Sequence, residues 1–184
     1  MTTPTPLRVC VFCGSRPGAS PAIVETARAL GTALAGAGLG LVFGAGGEGV
    51  MGAVSDAVLR AGGEAIGVIP STLWERENGR QDLTELHVVA DMHERKGMMH
   101  DLSAAFVTLP GGLGTFEEFF EVLTWAQLGI HDKPVILFDV DGYFTPLAVM
   151  IDHAVEQGFV SEADRALVVV ATTVDEVLAA LPRA

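Results

Sequence analysis

An α/β fold is what this sequence predicts, in the form of a Rossmann-like, doubly wound parallel sheet of about seven strands with helices on both faces. Three observations lead there. Short apolar runs alternate along the chain with segments of helical period. The runs lack an apolar–polar alternation, as strands buried on both faces do. Three of them end in small-residue turns: FCGS at 12–15, GAGGEG at 44–49 and LPGGLGT at 109–115.

In chain order, residues 1–6 read as a short flexible lead, and the first strand runs over 7–13. The further apolar, β-rich runs are 39–43, 65–69, 86–89, 104–109, 134–138 and 166–170. Helical candidates fall between and after them, near 20–37, 49–62, 92–102, 115–128, 144–157 and 173–181. Residues 72–85, TLWERENGRQDLTE, form the one polar excursion; a loop of that length in a compact domain points to a flap over the strand ends. There is no internal repeat, low-complexity tract or linker, so residues 1–184 are expected to form a single domain. A chain of this length can bury about 70% of its unfolded surface.

Composition narrows function. Eleven basic against 23 acidic residues leave a formal charge of −12, which repels polyphosphate backbones and argues against DNA or RNA as partners. A small phosphorylated ligand stays possible, because a few local donors outweigh net charge inside a pocket. No apolar run is long enough to span a bilayer and no signal-peptide pattern opens the chain, so a cytoplasmic location is expected. Cys10 and Cys13 form a C-x-x-C, but they lie on the first strand, where odd spacing sends them to opposite faces. Redox pairs of this spacing need a helix N-terminus, and zinc needs further ligands. Two buried thiols suit a reducing compartment.

Gly44-x-Gly46-x-x-Gly49 has the letters of a dinucleotide-binding fingerprint. That reading requires an acidic residue at the carboxyl end of the next strand. The candidate, Glu64, precedes the strand at 65–69 and so stands at its amino end. The fingerprint lacks its confirming context. In an open parallel sheet, ligands bind at the carboxyl ends of the strands, where glycine turns bring backbone N–H groups and a helix N-terminus to a phosphate. Gly14, Ser15, Gly46 and the stretch Gly111, Gly112, Leu113, Gly114, Thr115 share that rim and imply a pocket.

LPGGLGTFEE at 109–118 is the stronger signal. Pro110 ends the strand, the glycines open the turn, and Thr115 is a helix N-cap or first-turn residue. Glu118 then stands about one helical turn beyond an anion site, an arrangement suited to a ribose 5-phosphate. Glu117 and Glu118 each also fit the blander part of a carboxylate complementing the helix dipole, and the sequence leaves the two unseparated. In MHERKGMMH at 92–100, Met92, Arg95 and Met99 share a helix face. An arginine on an apolar face calls for an anionic partner, either a structural carboxylate or a ligand. His93 and His100 are seven apart without a third ligand, so no metal is expected.

PGGLGTFEE matches P-G-G-x-G-T-x-x-E and MHERK its companion Arg-Lys motif, and together they resemble the LOG ("Lonely guy") family of cytokinin riboside 5'-monophosphate phosphoribohydrolases, often labelled lysine decarboxylases. CGS near the start, VMGAVSDAVL and LTWAQLGIHDKPVILFDVDGYF resemble it too, so the likeness covers nearly the whole chain. It implies a homodimer that hydrolyses the N-glycosidic bond of N6-modified AMP to free base and ribose 5-phosphate, with no cofactor. It also implies Arg95 and Glu118 as the catalytic pair, with Lys96, Gly112 to Thr115, Glu77 and Thr124 contacting the nucleotide. The 44–52 stretch departs from the family pattern: Ala45, Gly47, Glu48 and Val50 stand in its glycine-rich region, and Glu48 adds a negative charge. Two rivals are a broader nucleoside 5'-monophosphate nucleosidase and a non-catalytic nucleotide or molybdenum-cofactor binding protein. Decarboxylation through pyridoxal phosphate needs a Schiff-base lysine, and the two lysines, Lys96 and Lys133, sit in no recognisable pyridoxal site. Phe116, Phe119, Phe120, Leu123, Trp125 and Leu128 surround much of one helix, which fits a partner helix in a dimer.

Overall fold

The computed structural model describes residues 6–74 and 80–182. Its elements run β1 (Arg8–Phe12), α1 (Pro21–Gly36), β2 (Gly40–Phe43), α2 (Gly49–Arg60), β3 (Ala65–Pro70), a 3₁₀ turn (Ser71–Leu73), β4 (Glu85–Val89), α3 (Met92–Asp101), β5 (Ala105–Thr108), α4 (Leu113–Gln127), β6 (Val135–Phe138), α5 (Thr145–Glu156), α6 (Glu162–Arg165), β7 (Val168–Ala171) and α7 (Val174–Ala180). The seven strands form one sheet in the order β4-β3-β2-β1-β5-β6-β7, and every neighbouring pair is parallel. The expected fold class is therefore observed.

Period-2 side-chain alternation divides the core in two. Val9 and Val11 of β1 face one layer, with Leu30 and Leu34 of α1 and Val54 and Val58 of α2. Cys10 and Phe12 face the other, with Met99 of α3 and Phe119 of α4. Phe43, Phe106, Phe119, Phe138 and Phe144 are fully buried, each contributing about 1.5–3 kcal/mol by transfer from water. Helices α1 and α2 pack closely because Gly31 is small: a Cβ there would collide with the Val54 carbonyl and stand 2.9 Å from the Ala57 Cβ.

Three details differ from the sequence expectation. Helix α4 starts at Leu113, two residues early, because Gly112 serves as N-cap and Gly114 is accepted in the first turn. The run at 166–170 shifts to Val168–Ala171 because a short helix, α6, ends at Arg165; Ser161 and Asp164 close a capping box that nucleates it. The polar stretch 72–85 is tied down at its far end. The Arg80 amide donates to the Ala45 carbonyl at 3.1 Å, and its guanidinium holds both Asp82 oxygens (2.7 and 2.6 Å), Ser55 and Asp56.

The strand order reverses between β1 and β5, the place where an open parallel sheet leaves a crevice at its carboxyl edge. Chain from β1 turns one way into α1 and chain from β5 turns the other way into α4, and the gap between them holds the main cavity.

Candidate active site at the switch point

The two loops that border the crevice are joined at glycines. The Gly14 amide donates to the Pro110 carbonyl at 3.1 Å, and a Cβ on Gly14 would lie 3.2 Å from the Gly111 Cα. The Gly14 carbonyl accepts from the Val50 and Met51 amides at 3.1 and 3.2 Å. These are the second and third residues of α2, the helix that follows the glycine fingerprint. Its N-terminus is thus filled by protein. Gly49 permits this: it takes a left-handed φ of 61°, and a side chain there would strike the Ser15 carbonyl. Glu64 is bound to Arg8 (2.8 and 3.3 Å) at the amino end of the sheet. Among the described residues, neither half of the fingerprint's dinucleotide site is present.

The N-terminus of α4 is different. Gly112 caps it without a side chain, and the amides of Leu113, Gly114 and Thr115 have no carbonyl to receive them within the helix. These residues line a cavity of about 680 Å³, together with Gly14 and Ser15 of the β1 loop. The macrodipole of this 15-residue helix places about half a positive charge there. The Tyr143 hydroxyl donates a short bond to the Gly111 carbonyl, and its ring stacks on Phe116 at 6.4 Å, fixing the turn.

Arg95 and Glu118 both line the same cavity. Arg95 is 4% exposed on α3, a helix whose N-cap Asp91 accepts from the His93 and Glu94 amides at 2.9 Å. Its Nη2 donates to the Gly44 carbonyl at 3.3 Å, and its Nη1 lies 3.7 Å from the Met92 sulfur. Glu118, half-buried on α4, faces inward, close enough that its charge adds to burial in pushing up the thiol pKa values of Cys10 and Cys13. Both thiols are free, buried and on opposite faces of the sheet, so neither is an activated nucleophile.

The two adjacent glutamates separate in space. Glu117 stands on the rim, half-exposed, and takes the Lys96 ammonium at 2.6 Å. Lys96 also pairs with Glu121. Burial alone would lower the Lys96 pKa, but Glu117 and Glu121 outweigh it and hold the ammonium above its ordinary range. Lys96 therefore braces α3 against α4, lining a small gap behind Glu118 instead of the main cavity. Two further residues predicted for the site fall off the lining described for the cavity, and a third is not described. Thr124 is exposed and bonds the Phe120 carbonyl at 2.6 Å, one turn back. Gly46 is buried and off the cavity lining. Glu77 lies outside the described residues. Glu48 is exposed at the N-cap of α2 and is not among the lining residues.

Arg16, Tyr143 and an apolar wall of Ile23, Met51, Leu73 and Met92 complete the cavity, none of them expected as site residues. Tyr143 follows the carboxyl end of β6, so the rim rule that found the other turns reaches it. Lys133 bonds the His100 carbonyl at 2.7 Å, so neither lysine lines the cavity as a Schiff-base partner would. Among the described residues no cluster of His, Cys, Asp and Glu could hold a metal ion, and no helix is long and apolar enough to cross a membrane.

The family model described as "Possible lysine decarboxylase" matches residues 51–181. The cytokinin riboside 5'-monophosphate phosphoribohydrolase LOG3 of Arabidopsis thaliana is 50% identical over 171 residues, 93% of this chain and 80% of that protein. The cytokinin riboside 5'-monophosphate phosphoribohydrolase of Rhodococcoides fascians is 45% identical over 179 residues, 97% of this chain and 90% of that protein. Among solved structures, the Moco carrier protein of Chlamydomonas reinhardtii superposes with a TM-score of 0.74 at 23% identity, covering 96% of this chain and 95% of that one. The molybdenum cofactor binding protein of Rippkaea orientalis gives 0.72 at 22% identity and 96% coverage of both chains; at these identities the likeness is one of fold.

Proposed function

The chain belongs to the LOG family, and from that membership and the switch-point cavity we propose that it hydrolyses the N-glycosidic bond of nucleoside 5'-monophosphates, with N6-modified AMP preferred. Water adds to the anomeric carbon, the bond from that carbon to the base nitrogen breaks, and the base leaves with a proton; the products are free base and ribose 5-phosphate.

One observation carries this reading: the open N-terminus of α4 and the inward-facing Glu118 lie on one helix within one cavity. Thr115 and Glu118 are three residues apart, a rise of about 4.5 Å, the scale of a ribose that bears a 5'-phosphate. The amides of Leu113, Gly114 and Thr115 receive the phosphate, and that remote binding energy positions the sugar. Glu118 stands against the ribose, where its carboxylate stabilises the positive charge that develops at the anomeric carbon and takes the proton of the attacking water. Arg95 orients the anionic groups beside it. Ile23, Met51, Leu73 and Met92 offer the apolar surroundings that an N6 substituent would enter. Lys96, in this reading, acts on α4 through Glu117 and Glu121.

The chain acts as a homodimer in a reducing cytoplasm. Leu128 and Ile130, at the end of α4, are 68% and 59% exposed, which supports a partner there. Free, buried Cys10 and Cys13 support the compartment. Molar mass by light scattering on an eluting peak tests the dimer.

The central test is chromatographic detection of free base from a panel of nucleoside 5'-monophosphates. Release from N6-isopentenyl-AMP far above AMP is expected, and Glu118→Gln should lose at least about 100-fold in kcat. Equal release from both substrates would point to a broad nucleosidase. Tight retention without release would point to a carrier. A Glu118→Gln protein with nearly full activity would sink the mechanism.

A further inference from the structure

Among the described residues, Arg16 is a cation at the cavity with no hydrogen bond or ion pair to the protein. It stands two residues past Gly14 on the exposed part of the β1 loop and lines the cavity mouth. Among the described residues, the cavity has three other charged lining residues. Arg95 is buried and holds the Gly44 carbonyl, Glu117 is taken by Lys96, and Glu118 faces inward. Among the described residues Arg16 has no hydrogen bond and no ion pair. Its backbone is nonetheless held in place. The amide nitrogen sits against Gly49 at the start of α2, and Gly14 is riveted to Pro110 and to the first turn of α2. The guanidinium therefore swings from a fixed root beside the same crevice into which the α4 amides point.

Charge arithmetic gives this residue a task. A phosphate monoester carries close to two negative charges at neutral pH. The α4 terminus offers about half a positive charge. The chain as a whole works against the ligand, with a formal charge of −12. A planar guanidinium can take two phosphate oxygens at once, which an ammonium cannot.

We propose that Arg16 is a specificity-determining residue for the proposed reaction, reading the 5'-phosphate of the nucleotide and so selecting monophosphates over the corresponding ribosides. This inference rests on the reading of the cavity as a nucleotide site. It assigns the phosphate end, not the chemistry: Arg16 lowers KM for anionic substrates and leaves the bond-breaking step alone. Because the side chain is exposed, its contribution falls with added salt.

The test compares wild type, Arg16→Gln and Arg16→Lys on N6-isopentenyl-AMP and on its riboside, at low and at high salt. Arg16→Gln is expected to raise KM for the monophosphate about tenfold with kcat within twofold, to flatten the salt dependence of KM and to leave the riboside unchanged. Arg16→Lys recovers part of the loss. An Arg16→Gln KM within twofold of wild type overturns the proposal, as does an equal loss on monophosphate and riboside. If wild type releases no base at all, the hydrolytic reading fails instead. Equilibrium titration of wild type and Arg16→Gln with AMP then decides Arg16 on its own: a tenfold weaker Kd upholds it and an unchanged Kd overturns it.

Discussion

Replacing Gly44 by alanine puts a methyl group on the Arg95 guanidinium. The added Cβ would overlap Nη2 and stand 3.1 Å from Cζ, with the Met51 sulfur 3.4 Å away on another side. Gly44 has no left-handed backbone, so alanine strains nothing at its own position. All of the effect passes through Arg95. Carbon contacts relax at about 3.5–4.0 Å, so the guanidinium must retreat by about 1 Å or more. That breaks its 3.3 Å bond to the Gly44 carbonyl, a charged hydrogen bond worth about 1.5–3 kcal/mol. The stiffer unfolded chain returns about 0.4–1 kcal/mol. A net loss of about 1–2 kcal/mol follows, measurable by urea denaturation. The activity loss should be larger than stability alone implies, because a 1 Å displacement of a positioned group costs about 100-fold. Initial rates of base release from N6-isopentenyl-AMP, at a temperature where the variant is fully folded, give the readout. A Gly44→Ala protein with kcat within threefold of wild type would refute the argument that Arg95 works from this fixed position.

Lys96→Met should cost about 1–2 kcal/mol in denaturant melts, because it leaves Glu117 and Glu121 as unneutralised like charges at i, i+4. Its KM for the monophosphate should stay within threefold, and a tenfold rise would return Lys96 to direct substrate contact. His131 sets a pH limit. Burial, joined by His100 and Lys133 and opposed by the Val122 carbonyl, holds its pKa below the ordinary 6.5. At pH 7.5 both folded and unfolded chains carry it neutral; below 6.5 the unfolded chain takes up a proton that the folded chain refuses. Stability should therefore fall as the pH drops below 6.5, by at most about 1.4 kcal/mol per pH unit, and His131→Gln should flatten that slope in urea melts.

Much of the fold was legible because burial leaves a plain mark. The central strands, covered on both faces, read as unbroken apolar runs; the edge strands β4 and β7 are partly exposed, contrary to the expectation for every run, yet all seven were found within a few residues of their ends. The α6 turn was not, since four residues carry no period and only the Ser161–Asp164 pair announces it. At the site, the turn at 111–115 and the inward Glu118 follow from local pattern. The partition between Glu117 and Glu118 does not: it depends on Lys96, which another helix delivers to Glu117. Arg16 adjoins the predicted Gly14–Ser15 turn and was missed because it carries no small-residue turn signal, and Tyr143 was missed because the turn after β6 lacks the glycine-rich pattern that marked the other three. The fate of the Gly44–Gly49 fingerprint likewise turned on a single carbonyl thirty residues upstream.

That carbonyl acts as a ruler. Two helices begin at the crevice, and a pyrophosphate laid across it would need anchorage at both. Gly14 fills the start of α2, so of these two helix starts that of α4 is the open one among the described residues. On the proposed function this lets the protein count phosphates: a ligand with one anionic end would have a berth, and a ligand bridged through two would meet the Gly14 carbonyl at the second. Glycines whose letters advertise a dinucleotide close the door to one, and a loop of the same chain occupies the berth they would have offered.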